Sequence, residues 1–92
     1  MQQEHAETIA LQTLTWLVGN DELMPVFLGT SGSSVGDVRD RATDLEFLAS
    51  VLDFVMMDDA WVIQACDINK VPYESLTAAR AMLPGGNLLN WT

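Results

Sequence analysis

The chain has 92 residues, 49% of them hydrophobic, and a formal net charge of −9. That length suits one domain with a single modest core, and that hydrophobic share excludes a disordered chain. The only cations are Arg39, Arg41, Lys70 and Arg80, scattered along the sequence, so nucleic-acid phosphates and anionic lipid are disfavoured as partners.

Helical spacing dominates from the start. In "EHAETIALQTLTWLVGN", Ala6, Ala10, Leu14, Leu17 and Val18 gather on one face, with Leu11 at its edge. Gly19 suits a left-handed stop. Asn20 then suits a cap for "DELMPVFL", with Asp21 and Glu22 in its first turn and Pro25 tolerated near the start. "GTSGSS" reads as a loop. Ser34 can cap the short helix "VGDVRDRA".

Asp44 can cap "LEFLASVLDFVMM", which is apolar over about half its wheel or more and reads as the spine of the core. The doublet Asp58–Asp59 sits where that pattern ends and a new phase begins. Asp58 makes a cap and Asp59 a first-turn acid for "DAWVIQACDIN". That helix points Trp61, Val62, Ala65 and Cys66 inward. Pro72 suits the first position of "PYESLTAARAML", whose inner face is Leu76, Ala79 and Leu83. Pro84, Gly85 and Gly86 end it, and "NLLNWT" is a short apolar tail.

The fold class is therefore all-α: a compact bundle of five or six short helices forming one domain over residues 1–92, with an ordered core at about 5–84 and a tail at 85–92. A faint repeat runs through it. The pairs Asp21–Glu22 and Asp58–Asp59 lie 37 positions apart, and that shift sets Leu11 on Leu48, Leu14 on Val51, Leu17 on Phe54 and Val18 on Val55. One inserted residue then sets Val38 on Leu76. The pattern reads as a pseudo-duplicated pair of three-helix units.

The segments "ALQTLTWL", "RDRATDLEFLASVLDFVMMDDAWVIQAC" and "LTAARAMLPGG" resemble a family of small alphaproteobacterial proteins classed only as a domain of unknown function. The resemblance rests on the Ala/Leu-rich first helix, the R-x-x-A-x-D step from Arg39 to Asp44, the acidic pair and the closing A-A-R-A at Ala78 to Ala81. It covers Ala6 to about Gly86. It implies an all-helical cytoplasmic domain and carries no activity, cofactor or catalytic residue. Where the family's turn before the proline offers Gly, this chain has Asn69-Lys70.

Catalysis finds little to work with. The single His5 lies in a first turn, and the single Cys66 falls inside an apolar arc without a predicted base beside it. Adjacent helical acids such as Asp58 and Asp59 diverge by about 100°, which does not suit a general acid/base pair. No His/Cys cluster suggests zinc, and no D-x-D-x-D-G loop suggests calcium. Asp37 and Asp40 share a helix with Arg39 and Arg41 and read as a solvated charged face. "GTSGSSVGD" lacks both the preceding strand and the following Lys of a phosphate loop. The expectation is a non-enzymatic chain with no cofactor or metal. One cysteine, the polar start "MQQEHAE" and the lack of a bilayer-length apolar run make cytoplasm the expected compartment, without membrane attachment.

Two surfaces remain. On the first helix His5, Ile9, Gln12 and Trp16 form a second stripe, roughly opposite the core face. The repeat-equivalent positions are Ala42, Glu46, Ala49 and Asp53, so the apolar character belongs to the first helix alone. Either the tail (Leu88, Leu89, Trp91) or a protein partner, most simply a second copy, would cover Ile9 and Trp16. The expected function is a protein-interaction module, a homodimer or a small adaptor or regulator. The alternative is a helix-turn-helix-like nucleic-acid binder over "ACDINKVPYESLTAARAML", with Tyr73, Glu74, Thr77 and Arg80 facing the groove. One Arg and one Glu there make a weak electrostatic footprint.

Overall fold

Side-chain caps place the starts of the three middle helices. The computed structural model describes residues 1–85, and the tail residues Leu88, Leu89 and Trp91 lie outside them. Six helices follow one another: α1 (Gln3–Val18), α2 (Leu23–Ser31), α3 (Val35–Asp40), α4 (Leu45–Val55), α5 (Asp59–Asn69) and α6 (Ser75–Met82). Ser34 accepts from the Asp37 N–H while Asp37 accepts from the Ser34 N–H, a reciprocal capping box. Those bonds, backbone first, hold the Asp37 carboxyl below its ordinary value. Asp44 and Asp58 accept from the N–H groups of Glu46 and Ala60 and start α4 and α5 as their sequence suggests. Partial burial raises the Asp44 pKa, but the Arg41 bond and the backbone N–H groups together outweigh it, and the net shift is downward.

Several boundaries depart from the sequence reading. Gly19 is right-handed at φ −81°, so α1 does not stop on a left-handed glycine. Asn20 Oδ1 nonetheless accepts from the N–H groups of both Glu22 and Leu23, which satisfies two donors at the start of α2. That helix runs through Gly29, Thr30 and Ser31, which were expected to be loop, and stops at Gly32, φ +71°. Pro72 is not at N1 of α6. Its carbonyl accepts from the Ser75 N–H in a turn, and the helix proper begins there. Lys70 ends α5 with φ +58°, the one non-glycine residue with positive φ among the described residues. A turn that favours glycine is thus built on a lysine.

The core forms where α1 packs against α4, α5 and α6. α4 supplies most of it, with Phe47, Leu48, Ala49, Val51, Leu52, Phe54 and Val55 buried. An aromatic chain ties α2, α4 and α5 together. Phe27 meets Phe47 and Phe54 edge-on at 5.9 and 5.2 Å, and Phe54 stacks on Trp61 at 5.2 Å. α1 packs on α6, and the buried faces of both include small residues (Ala6, Ala10 and Thr13 on α1, Ser75 and Ala79 on α6), which lets packed helices approach closely. Thr13 stays satisfied there by donating to the Ile9 carbonyl at 2.8 Å. The Cα radius of gyration, 12.3 Å, matches the roughly 12 Å of a compact chain this long.

Each half holds three helices, but the length order of α1 to α3 does not recur, since α4 and α5 have 11 residues each, and burial follows the repeat only in part. Leu14 and Val51, Leu17 and Phe54, and Val38 and Leu76 are buried in both halves. Leu11 and Val18 are exposed where Leu48 and Val55 are buried.

Candidate interaction surfaces

The rotation of α1 decides the first surface. Its buried face is Ala6, Ile9, Ala10, Thr13, Leu14 and Leu17. Ile9 is therefore not part of an open stripe: it is 2% exposed and belongs to the core cluster. Trp16 is half-buried and packs against that cluster. His5 and Gln12 are exposed. The four residues expected to form one surface thus divide between interior and solvent.

The open apolar flank of α1 is the opposite one. Leu11 and Val18, assigned to the core or its edge from the sequence, are 45% and 49% exposed. With Thr15 between them they form one side of a groove whose other side is α3 and the turn after it. Val35, Val38 and Ala42 face them there, and Arg39 stands on the rim. Thr15 offers the groove little polarity, because its hydroxyl donates to the Leu11 carbonyl of its own helix. Val35 is the most exposed of these residues at 67%, so a projecting apolar group stands beside the cleft. Arg39 has no ion-pair partner among the described residues, whereas Arg41 pairs with Asp44 and Arg80 with Asp53.

The second surface lies between α5 and α6. Tyr73, Glu74 and Thr77, expected to face one groove, do line one, together with Asp59, Met56, Val62 and Ile63 above a floor at Leu76. The Tyr73 hydroxyl donates to Asp67 at 2.8 Å. That bond, and next the Asp67 charge, raise the phenol pKa. The Thr77 hydroxyl lies 3.7 Å from Met56 Sδ. Arg80 does not join them. Its Nε donates to Asp53 at 2.7 Å and an Nη donates to the Pro84 carbonyl at 2.8 Å. Gly85, at φ +90°, passes so close to that guanidinium that a Cβ there would sit 3.1 Å from it.

The groups with nucleophilic or metal-binding chemistry stay apart. Cys66 is 1% exposed in the core, where burial first, and then the Asp67 and Glu74 charges, push its thiol pKa up and disfavour the thiolate. His5 is exposed on the first turn of α1. Among the described residues no three His, Cys, Asp or Glu side chains converge as a metal site, and no helix is long and apolar enough to cross a membrane.

No curated protein and no solved structure matches the chain. A family described as "Protein of unknown function (DUF3572)" matches it over residues 3–86. With six helices joined to one core and nearly the whole length matched, the chain belongs to that family of unknown function.

Proposed function

We propose that the protein is a non-enzymatic interaction module that associates with a second copy of itself through the groove between α1 and α3. The observation that carries this is the company of Leu11, Val18 and Val35: three large apolar side chains, exposed together around an almost wholly apolar cleft. The patch holds both a projecting group, Val35, and a cleft to receive one, which is what a two-fold contact requires of a single surface. Lone Cys66 suits a reducing compartment, and the cytoplasm is the natural one. The nucleic-acid alternative has less behind it, because Arg80 is engaged with Asp53 while Asp59 and Glu74 bring negative charge to the same face.

Sedimentation equilibrium of wild type and of Val18→Asp tests the reading. A concentration-dependent dimer in the wild type, reduced to monomer by the substitution with unchanged helical content, supports it. A wild type that stays monomeric up to millimolar concentration removes self-association, as does a dimer that Val18→Asp leaves intact.

A further inference from the structure

We infer that the groove between α5 and α6 is a docking site for a basic amphipathic helix of another protein. Such a helix would set large apolar side chains over Ile63 and Leu76 and Lys or Arg side chains against Asp59 and Glu74. The groove has the two parts this needs. Its floor is apolar at Leu76 and its walls carry apolar side chains, with Ile63 44% and Tyr73 51% exposed and Met56 adding a polarisable side chain that adapts to varied shapes. Its charged lining is carboxylate only, Asp59 from the first turn of α5 and Glu74 from the turn before α6. Arg80, the nearest cation on α6, is held by Asp53 and the Pro84 carbonyl. A groove of about 510 Å³ between two helices, lined by both apolar and acidic side chains, matches the way an amphipathic helix is bound, by side chains spaced three and four apart. The −9 charge of the whole chain steers a cationic partner toward it.

Other occupants fit less well. A second copy would bring Asp59 and Glu74 against their own counterparts across a two-fold axis, like charge on like. A nucleic-acid backbone would set phosphates against the same carboxylates. The proposal rests on reading the chain as an interaction module, but not on the α1–α3 contact.

The test is fluorescence anisotropy of the full chain with a labelled helical peptide of Leu on one face and Lys on the other. Controls are the same composition scrambled to break the apolar face, a Leu/Glu version, and a mixed-sequence DNA duplex. The expected result is binding of the Leu/Lys helix alone, weakening as salt rises, and weakened by roughly tenfold or more in Asp59→Lys/Glu74→Lys and in Ile63→Asp. Should the double charge reversal unfold the chain, Asp59→Asn/Glu74→Gln serves instead and lowers affinity less. Equal binding of the scrambled peptide, unchanged affinity in the charge variants, or binding of the duplex in place of the peptide overturns the proposal. Val18→Asp separates the two readings: a monomer that still binds the peptide supports this groove whatever becomes of self-association, and a dimer indifferent to the peptide rejects this groove alone.

Discussion

Arg80 Nε donates to Asp53 Oδ1 at 2.7 Å, joining α6 to α4 across 27 positions of sequence. The arginine side chain is 12% exposed and the aspartate 54%, so a largely buried cation reaches a carboxylate that remains in contact with water. The same guanidinium closes the end of α6 by donating to the Pro84 carbonyl. One side chain thereby fixes where α6 lies and how it ends, and it is withdrawn from the surface that Tyr73, Glu74 and Thr77 share.

Arg80→Ala should lower stability by about 1–3 kcal/mol, through the lost charge-assisted bonds and lost packing of the stem. Asp53→Asn should cost less. Because Asp53 is more than half exposed, the coupling from a double-mutant cycle should be only about 0.5–1 kcal/mol. Urea unfolding of the four chains measures it, and a coupling near zero would mean that the pair is a consequence of helix packing and not a contributor to it.

Ile9 and Leu11 should respond in opposite ways. Ile9→Ala removes a fully buried side chain from the core and should cost about 2–4 kcal/mol. Leu11→Ala should stay within about 0.5 kcal/mol of wild type in the dissociated chain, since its side chain lies on an open groove. Comparable losses from both substitutions, measured at a concentration where only monomer is present, would contradict the rotation of α1 described above.

Lys70 holds a backbone conformation that costs an ordinary residue about 1–2 kcal/mol and glycine little. Lys70→Gly should therefore stabilise the chain, by about 0.5–1 kcal/mol once the greater freedom of glycine in the unfolded state is set against the relieved strain. Lys70→Val should destabilise it, because a β-branched side chain tolerates positive φ least. The urea midpoints of both variants should move in these directions with the slope of the transition unchanged.

Cys66 should react with a thiol reagent only as fast as the core opens, and at the free-thiol rate in denaturant. Its pKa is raised in the folded chain above the ordinary 9.0. From about that pH upward the unfolded chain loses this proton while the folded chain keeps it. The stability from a neutral buried thiol is therefore complete below pH 9 and is lost as pH rises toward the folded value. Cys66→Ala should reduce the alkaline slope in urea midpoints. Tyr73, also raised from an ordinary 10.0, loses stability with the same sign at higher pH, and Tyr73→Phe distinguishes the two. Rapid labelling of the native chain would place Cys66 within reach of solvent and reopen catalysis.

What was legible in the sequence was local. Ser34, Asp44 and Asp58 cap helices because their side chains reach a backbone N–H two or three residues on, a relationship the chain satisfies without any distant partner. The bounds of α5 and the apolar breadth of α4 follow from the same short-range grammar. Less legible was where a helix stops when nothing local forces it to. Gly29 has open space around it, and α2 continues through it to Gly32. Pro72 permits a helix start, yet α6 waits for Ser75, after a turn that Pro72 itself closes. Three of the four residues of the nucleic-acid set, Tyr73, Glu74 and Thr77, did reach a common groove, but Arg80 left it for Asp53, a partner no nearby spacing announces.

The sequence by itself determined that α1 is a helix with Ala6, Ala10, Leu14 and Leu17 at the centre of its inner face. Ile9 and Leu11 stand about 100° to either side of that centre, at 100° per residue, so periodicity gives them equal claims to the interior. Only the tertiary structure chose between them: α1 closes on α4, α5 and α6 with Ile9 in the core, while its Leu11 flank is left along the open groove with α3. Burial is a property of neighbours arriving from elsewhere in the chain, and a single helix carries no record of the side on which they will arrive.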